Sequence, residues 1–156
     1  MPEYIFVRSE NEYASAAFLF KEYAAWLNID LGFQNFSEEL KGLQNMYALP
    51  EGGIILSKND NEFTGCIAIR KIDKNTAELK RMYVKPAFQH RGIGSGLLNE
   101  AILLAAKIGY KKIRLDTLSN MTPAIKLYKN IGFYEIPAYY FNPESTAVYF
   151  EKTLTD

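Results

Sequence analysis

The sequence predicts a mixed α/β fold in which one sheet of about six to seven mostly antiparallel strands carries helices on both faces. Three extended segments, 53–57, 62–72 and 78–84, are separated by short turns rich in Asn and Asp, a pattern typical of an antiparallel meander. After the third segment the pattern changes to helices that alternate with strands, which adds crossover connections to the same sheet. The chain has 156 residues, so we expect a single domain over 1–156.

The first part of the chain contains a predicted strand and two predicted helices. The strand covers 4–8, and Ser9 and Glu12 after it have the spacing of a capping box, which predicts the start of a helix. Apolar residues then recur at helical spacing for several turns. A second, short helix is expected over 37–43, with Ser37 as its N-cap.

The last part of the chain alternates helices with strands. Thr122 and Pro123 are typical of an N-cap followed by the first residue of a helix, and Gly109 and Gly132 are typical of helix ends. The elements predicted here from apolar periodicity are a helix at 92–108, a strand at 112–118, a helix at 122–130 and two closing strands at 133–136 and 146–153.

The composition excludes several classes of protein. The chain has 18 basic and 18 acidic side chains, so no net charge draws it to nucleic acid or to an anionic membrane. No secretory leader and no apolar helix of membrane-spanning length are visible, which predicts a soluble, cytoplasmic protein. Cys66, the only cysteine, lies in an apolar strand and is expected to be a buried small hydrophobe. No His, Asp or Glu residues show a metal-site spacing, so no metal is expected.

A glycine-rich junction between a strand and a helix predicts a phosphate-binding site. Pro86 stops the strand, and glycines recur at Gly92, Gly94 and Gly96, where the helix starts. The first turn of a helix carries unpaired backbone N–H groups and a partial positive charge, and glycine lets a phosphate approach them closely. Arg91 adds a cation at the rim. We therefore expect a cradle for a diphosphate.

Two other kinds of phosphate loop do not fit this junction. A dinucleotide-binding fingerprint would need glycine at position 97, where the chain has Leu97, and a P-loop would need a closing Gly-Lys-Ser/Thr that the segment lacks. One alternative stays open: the glycines ease a tight turn from strand to helix and bind nothing.

Three segments in order along the chain resemble the signatures of the GNAT superfamily of N-acetyltransferases. Residues 78–84 (ELKRMYV) are similar to the fourth strand of that family, and residues 89–94 (QHRGIG) match Q/R-x-x-G-x-G/A. Residues 124–133 (AIKLYKNIGF) are similar to its second signature, A-x-x-L-Y-x-x-x-G-F. Segments 22–27 (EYAAWL) and 136–143 (IPAYYFNP) also resemble a poorly characterised branch of the family, a likeness that names no substrate.

The resemblance implies a GNAT-like fold in which the fourth and fifth strands splay apart and the cosubstrate acetyl-CoA lies between them. Backbone N–H groups of the loop would wrap the diphosphate, and the main chain of the fourth strand would pair with the pantetheine arm. Asn120 lies one residue from the position at which the family often has an asparagine. His90 lies inside the loop and is expected to contact the rim of the site. The positions that the resemblance assigns to the cofactor are Met82, Tyr83, Val84, Gln89, His90, Arg91, Gly92, Ile93, Gly94, Ser95 and Asn120.

Tyr128 is the residue that the resemblance places beside the coenzyme A sulfur. Acetyl transfer from a thioester to an amine needs a group that stabilises or protonates the departing thiolate. A phenol donates to a thiolate at neutral pH without being ionised, so we expect Tyr128 to protonate the sulfur. The alternative is a core tyrosine, because Tyr128 belongs to an apolar helix stripe.

Glu78 is the candidate base, because some members of the family carry a catalytic glutamate at the start of this strand. It would take the proton of the amine directly or through water. The alternative is a strand residue paired with Lys80 or with a lysine of a neighbouring strand. Strict alternation would put Glu78, Lys80 and Met82 on one face and Arg81 and Tyr83 on the other.

Acceptor sites of the family are built from the first two helices and the segment between the last two strands, and both are aromatic here. Trp26, Phe33 and Tyr139 are the candidate acceptor residues, and a cationic acceptor over Trp26 or Tyr139 fits their chemistry. The alternative is that these rings fill the core. The acceptor would be a small-molecule or peptide amine, and the sequence leaves open both its identity and the choice between monomer and homodimer.

The sequence thus predicts an acetyl-CoA-dependent N-acetyltransferase that works by direct transfer in a ternary complex. The buried placing of Cys66 argues against a covalent acetyl-cysteine. The alternative is a non-catalytic acyl-CoA-binding or sensing module on the same fold. Tyr128 and Glu78 favour the enzyme, because binding alone needs neither.

Overall fold

The computed structural model describes residues 2–27 and 36–154. Its strands are β1 (Glu3–Phe6), β2 (Gly53–Asn59), β3 (Glu62–Asp73), β4 (Thr76–Val84), β5 (Lys112–Leu118), β6 (Tyr134–Ile136) and β7 (Ala147–Thr153). Its helices are α1 (Glu10–Leu27), α2 (Phe36–Lys41), α3 (Leu43–Met46), α4 (Ile93–Ile108) and α5 (Thr122–Ile131). The seven strands of this described part form one sheet in the order β1-β2-β3-β4-β5-β7-β6.

Neighbouring strands of the sheet pair antiparallel, except β4 and β5, which pair parallel. Parallel strands need a crossover connection, and α4 provides it. Apolar side chains of α4 and α5 pack on one face of the sheet, and those of α1 and α3 pack on the other. The mixed, mostly antiparallel sheet with helices on both faces confirms the predicted fold class. In the part of the chain described, no helix is both long and apolar enough to cross a membrane.

Local sequence signals locate several helix ends correctly. The N–H of Ser9 donates to the Glu12 carboxylate at 3.1 Å, and the N–H of Glu12 donates to the Ser9 hydroxyl at 3.2 Å, so the predicted capping box is confirmed. Gly109 and Gly132 adopt left-handed conformations, with φ of 113° and 111°, and cap the C-termini of α4 and α5 as predicted.

Two predicted helix starts are wrong. Ser37 lies within α2, so it is not the N-cap, and Gly42 separates α2 from α3 where a single helix was expected. Thr122 is the first residue of α5 and Met121 is the N-cap, without a side-chain bond. The N–H of Met121 bonds to the carbonyl of Leu118 at 2.9 Å, so the turn after β5 brings Thr122 into the helix.

Strand β4 contains a β-bulge at Arg81. Cys66 of β3 lies opposite Tyr83, whereas Ala68 lies opposite Lys80, so β4 has one extra residue between these two pairs. Arg81 has φ of 60°, in the left-handed region that non-glycine residues rarely adopt. An extra residue in this position changes which face the following side chains occupy.

The predicted alternation along β4 is therefore wrong beyond Lys80. The partners of Lys80 and Tyr83, Ala68 and Cys66, both belong to the core under α1, so Lys80 and Tyr83 share that face. Met82 instead packs in the core under α4. Because of the bulge, Met82 and Tyr83 face the opposite sides of the sheet from those that a regular strand would give them.

The guanidinium of Arg81 is buried and held by Glu39 of α2. Its Nη2 and Nε lie 2.7 and 3.0 Å from the two carboxylate oxygens, and the Tyr47 hydroxyl donates to the same carboxylate at 2.8 Å. The side chains of Arg81 and Glu39 are 4% and 1% exposed. Bidentate pairing offsets the desolvation of both charges, so this pair ties the bulge to α2.

We expect Glu39→Ala to lower the free energy of unfolding by about 3 kcal/mol, because it leaves a buried guanidinium without its partner. Glu38 is the matched control, since its side chain is 74% exposed and its pair with Lys41 spans 3.7 Å. Glu38→Ala should change the same quantity by less than about 1 kcal/mol. Urea unfolding followed by circular dichroism measures both values. Equal losses in the two variants would contradict the role given to the Arg81–Glu39 pair.

Candidate active site

Strands β4 and β5 separate soon after they pair. Their ladder contains three residue pairs and ends with Glu78 opposite Arg114. Beyond it, residues 79–84 of β4 and 115–118 of β5 do not pair with each other. A cavity of about 540 Å³, here called the splay cavity, lies between the separated strands and is lined by both. The predicted divergence of the fourth and fifth strands is confirmed.

The loop after β4 brings unpaired backbone N–H groups to this cavity. A 3-10 turn, Pro86–Phe88, leads into His90 and Gly92, whose φ values of 66° and 82° are left-handed. Gly92 is the N-cap of α4, so the N–H groups of the first helical turn, from Ile93 on, have no partner within the helix. Positive-φ turns at a helix N-terminus concentrate N–H groups and partial positive charge, a combination that binds anions.

The three glycines of this junction have different roles. Gly92 needs its left-handed φ, and a Cβ there would meet nothing within 4 Å. A Cβ on Gly94 would make only ordinary contacts at 3.9 Å with Leu127 and Val84, so Gly94 leaves open space beside the cavity. A Cβ on Gly96 would lie 1.8 Å from the Tyr4 hydroxyl. Glycine at this position therefore also makes room for the Tyr4 side chain, and the role of Gly96 in the approach of a phosphate stays a prediction.

Side chains of the loop after β4 make contacts that hold the loop in place. The Gln89 amide donates to the Val84 carbonyl at 3.0 Å and ties the loop to the end of β4. The Arg91 guanidinium lies 5.2 Å from the centroid of the Phe88 ring. Of the residues predicted to hold a cofactor, the splay cavity is lined by Met82, Tyr83, Val84, Gln89, His90, Ile93, Gly94 and Asn120, while Arg91, Gly92 and Ser95 lie outside its lining.

Tyr128 of α5 reaches the same cavity. Its ring packs on Phe133 and Phe150, with centroids 5.6 and 6.4 Å apart, as in a core tyrosine. Its hydroxyl, however, has no hydrogen-bond partner among residues 2–27 and 36–154. Burial raises the pKa of Tyr128 above its ordinary value of 10.0, and the charges of Tyr23 and Asp116 add to the rise. The phenol therefore stays protonated at neutral pH and can donate into the cavity.

Glu78 lies at the end of the ladder and outside the lining of the splay cavity. Nε of Arg70 donates to its Oε1 at 2.8 Å, and the Tyr139 hydroxyl donates to its Oε2 at 2.8 Å. Nζ of Lys80 lies 3.9 Å from Oε1, and the Glu78 side chain is 2% exposed. The alternative pairing of Glu78 with Lys80 is thus present beside a closer pair with Arg70, and the role of Glu78 as base stays a prediction.

Asp116 of β5 is a carboxylate in the splay cavity that sequence reasoning did not single out. Its Oδ2 accepts hydrogen bonds from the Tyr140 hydroxyl and from Nδ2 of Asn142, the second at 3.0 Å. The available signal was an aspartate in a strand that alternates polar and apolar residues, but its partners lie more than twenty residues further along the chain. Periodicity within one strand does not reveal such a contact.

A second cavity, of about 760 Å³ and here called the α2-side cavity, lies between α2, β4 and the segment that joins β6 to β7, and Glu78 is among its lining residues. Lys80 lines both cavities, so they meet at β4, and burial lowers its pKa. Tyr139 lines the α2-side cavity and Trp26 lines the splay cavity, whereas Phe33 lies outside the described residues. The Arg114 guanidinium lies 5.5 Å from the Tyr139 ring centroid, so one face of that ring already holds a cation.

Cys66 is fully buried in β3, between the two outer layers of the fold. Its Sγ donates to the Arg81 carbonyl at 3.2 Å, and burial raises the pKa of its thiol. The residue is thus a structural thiol and not a nucleophile. Among the described residues, no three His, Cys, Asp or Glu side chains come close enough together to hold a metal ion.

A mixed sheet that opens between parallel strands beside a helix N-terminus is the arrangement that the resemblance to N-acetyltransferases implies, and comparisons with known proteins agree. Residues 18–133 match the Acetyltransferase (GNAT) family. An uncharacterised N-acetyltransferase of Schizosaccharomyces pombe is 35% identical over 84% of this chain and 82% of its own length. The chain therefore belongs to the acetyltransferase (GNAT) family.

Two solved structures extend this comparison. A GNAT-family acetyltransferase from Staphylococcus aureus Mu50 superposes with a TM-score of 0.82 over 99% of this chain and all of that one, at 22% identity, and shows the same fold. A GNAT-family acetyltransferase from Elizabethkingia anophelis, solved with acetyl-CoA bound, is 29% identical over 72% of this chain and 82% of that one, with a TM-score of 0.58.

We expect the folded protein to resist thiol reagents, because its only cysteine is buried and its thiol is held protonated. Titration with 5,5′-dithiobis(2-nitrobenzoate) should give almost no signal in buffer and one thiol per chain in guanidinium chloride. Rapid stoichiometric reaction of the native protein would contradict the structural role of Cys66.

Proposed function

We propose that this protein transfers the acetyl group of acetyl-CoA directly to a primary amine of an acceptor bound beside it. One observation carries the proposal: a single cavity runs from the unpaired N–H groups at the start of α4, along the separated strands β4 and β5, to the Tyr128 hydroxyl. That path suits a long ligand with a diphosphate at one end and a thioester at the other. The acetyl-CoA bound by the similar Elizabethkingia protein supports the same choice of ligand.

The backbone of the junction would bind the diphosphate, with N–H groups of residues 89–95 as donors. The pantetheine arm carries amides, and an amide chain can pair with an unpaired strand edge as an added strand does. Residues 82–84 of β4 offer that edge, and Gln89 already occupies the Val84 carbonyl. The arm would therefore use the other main-chain groups of this segment.

The thioester would lie beside Tyr128. Attack of the neutral amine forms the C–N bond, and collapse of the tetrahedral intermediate breaks the C–S bond. The Tyr128 hydroxyl donates a hydrogen bond and then a proton to the departing sulfur, a role supported by its placement in the cavity without a hydrogen-bond partner among the described residues. The amine proton goes to a base, and Glu78 is the candidate that the sequence predicts, acting directly or through water.

A non-catalytic acyl-CoA-binding module is the competing function on this fold. The two functions are distinguished by incubating the protein with acetyl-CoA and a panel of primary amines while coenzyme A release is followed. Release of coenzyme A together with an acetylated amine supports the transferase. Tight acetyl-CoA binding without turnover of any amine would support the binding module instead.

We expect Tyr128→Phe to lower turnover by about two to three orders of magnitude, because the departing thiolate loses its donor. The affinity for acetyl-CoA should stay within about twofold, since the ring and its packing are kept. Tyr134→Phe is the matched control, because the Tyr134 hydroxyl bonds to Glu151 outside both cavities. Steady-state kinetics and calorimetric titration measure the two quantities. Undiminished turnover in Tyr128→Phe would remove the tyrosine from the mechanism.

We expect Gly94→Glu to weaken coenzyme A binding by about 100-fold, because it places bulk and negative charge beside the diphosphate. Gly94→Gln has the same size without the charge and should weaken binding by about tenfold. Both side chains start in open space, so thermal denaturation midpoints should match that of the unmodified protein. Calorimetric titration with coenzyme A gives the affinities. Unaltered affinity in Gly94→Glu would show that the diphosphate lies elsewhere.

A further inference from the structure

Asp116 stands in the cavity that the proposed function assigns to the thioester. It belongs to β5, beyond the point where this strand leaves β4, and it lines the splay cavity together with Tyr128. Glu144, in the segment between β6 and β7, is the other carboxylate in the described lining. Asp116, unlike Glu144, is carried by a strand of the sheet, so its backbone position is fixed by pairing with Tyr149 of β7.

One oxygen of Asp116 is held and the other is open. Oδ2 accepts the hydrogen bonds from Tyr140 and Asn142. Oδ1 has no donor among the described residues, and no buried polar side-chain atom of those residues lacks a partner. Oδ1 is therefore accessible rather than sealed in protein. A carboxylate oriented by two donors, with one accessible oxygen, is arranged to accept a proton.

The two donors that orient Asp116 are themselves fixed. The Tyr149 hydroxyl donates to the Tyr140 carbonyl at 3.0 Å. The N–H of Glu144 donates to Oδ1 of Asn142 at 2.9 Å, so the NH₂ end of that amide is the one turned to Asp116. The segment between β6 and β7 thus holds the carboxylate from one side and leaves the cavity side free.

Glu78 has no comparable open oxygen. Arg70 and Tyr139 donate to its two oxygens, and its side chain, which is almost completely buried, lines the α2-side cavity and not the splay cavity. An amine proton could reach Glu78 only by displacing one of these donors or through a chain of water. Asp116 requires neither.

We propose that Asp116 accepts the proton of the attacking amine, with Tyr140 and Asn142 as its positioning residues; this assignment rests on the proposed acetyl transfer. The amine nitrogen uses its lone pair to form the C–N bond, and the carbonyl π electrons move to oxygen. The nitrogen, now cationic, gives one proton to Oδ1 of Asp116. When the carbonyl re-forms, the C–S electron pair leaves with sulfur, which takes the proton of Tyr128. Solvent then removes the proton from Asp116 and restores that of Tyr128, so the products are an amide and a thiol.

The two groups also influence each other electrostatically. Burial is the main cause of the raised pKa of Tyr128, and the charge of Asp116 contributes to it. Once Asp116 has taken the amine proton, that charge is neutralised and the pKa of Tyr128 falls. Tyr128 thus becomes a stronger acid at the stage when the sulfur departs.

The test compares Asp116→Asn with the unmodified protein, because asparagine keeps an acceptor oxygen for Tyr140 and Asn142 but is a far weaker base. Turnover is measured with acetyl-CoA and three amines, tyramine, spermidine and lysine, and acetyl-CoA affinity is measured by calorimetry. Turnover should fall by about two to three orders of magnitude while affinity stays within about twofold. Asp60→Asn makes the same chemical change at an exposed turn and should have no effect.

Two further variants decide between a base and a structural residue. Glu78→Gln should retain more activity than Asp116→Asn, and the reverse order would overturn the proposal in favour of Glu78. Tyr140→Phe should lower turnover by about three- to tenfold alone and add nothing in the Asp116→Asn background, because it acts only through the carboxylate. Additive losses would overturn its positioning role.

The outcomes separate this assignment from the proposed function. If the unmodified protein acetylates one of the amines and Asp116→Asn does so equally fast, the assignment of Asp116 fails while the transferase stands. If the unmodified protein binds acetyl-CoA and acetylates none of them, the proposed function fails and the assignment fails with it.

Discussion

The splay cavity exists because β4 and β5 separate after three residue pairs. A bulge at Arg81 then increases the twist of β4 and turns its following residues. A left-handed arginine costs on the order of 1 kcal/mol, and the buried pair with Glu39 offsets that cost. The strand edge that faces the cavity is therefore maintained by a buried charge pair between β4 and α2. Stability and ligand access depend on the same strand.

Three carboxylates beside this strand, Glu39, Glu78 and Asp116, differ in how their oxygens are used. Both oxygens of Glu39 are bonded by Arg81, and both oxygens of Glu78 are bonded by protein donors. Asp116 has one oxygen bonded and one accessible. Fully bonded carboxylates in ion pairs contribute to structure, because a new proton or ligand must displace an existing donor. Asp116 is the carboxylate that is not fully bonded, and it lines the splay cavity together with Tyr128, where the proposed reaction needs proton transfer.

Much of the fold could be predicted from the sequence because its signals are local. The capping box at Ser9, the left-handed glycines at helix ends and the glycine-rich junction each depend on a few neighbouring residues. The bulge at Arg81 could not be predicted, since its side chain is held by a helix from a different part of the chain. The contact of Gly96 with Tyr4 could not be predicted for the same reason, because Tyr4 comes from β1. Asp116 was missed because its partners lie in a later segment, so its environment exists only in the folded chain.

The proposed function places a diphosphate at the start of α4 and an amide-bearing arm between β4 and β5, with its thioester end at Tyr128. A crystal structure of the protein with coenzyme A would show whether the ligand binds in this way. We expect phosphate oxygens within hydrogen-bond distance of the N–H groups between residues 89 and 95, main-chain bonds from residues 82–84 to the arm, and the sulfur beside the Tyr128 hydroxyl. Coenzyme A bound at another surface, or a splay cavity left without it at saturating ligand, would rule out this mode of binding.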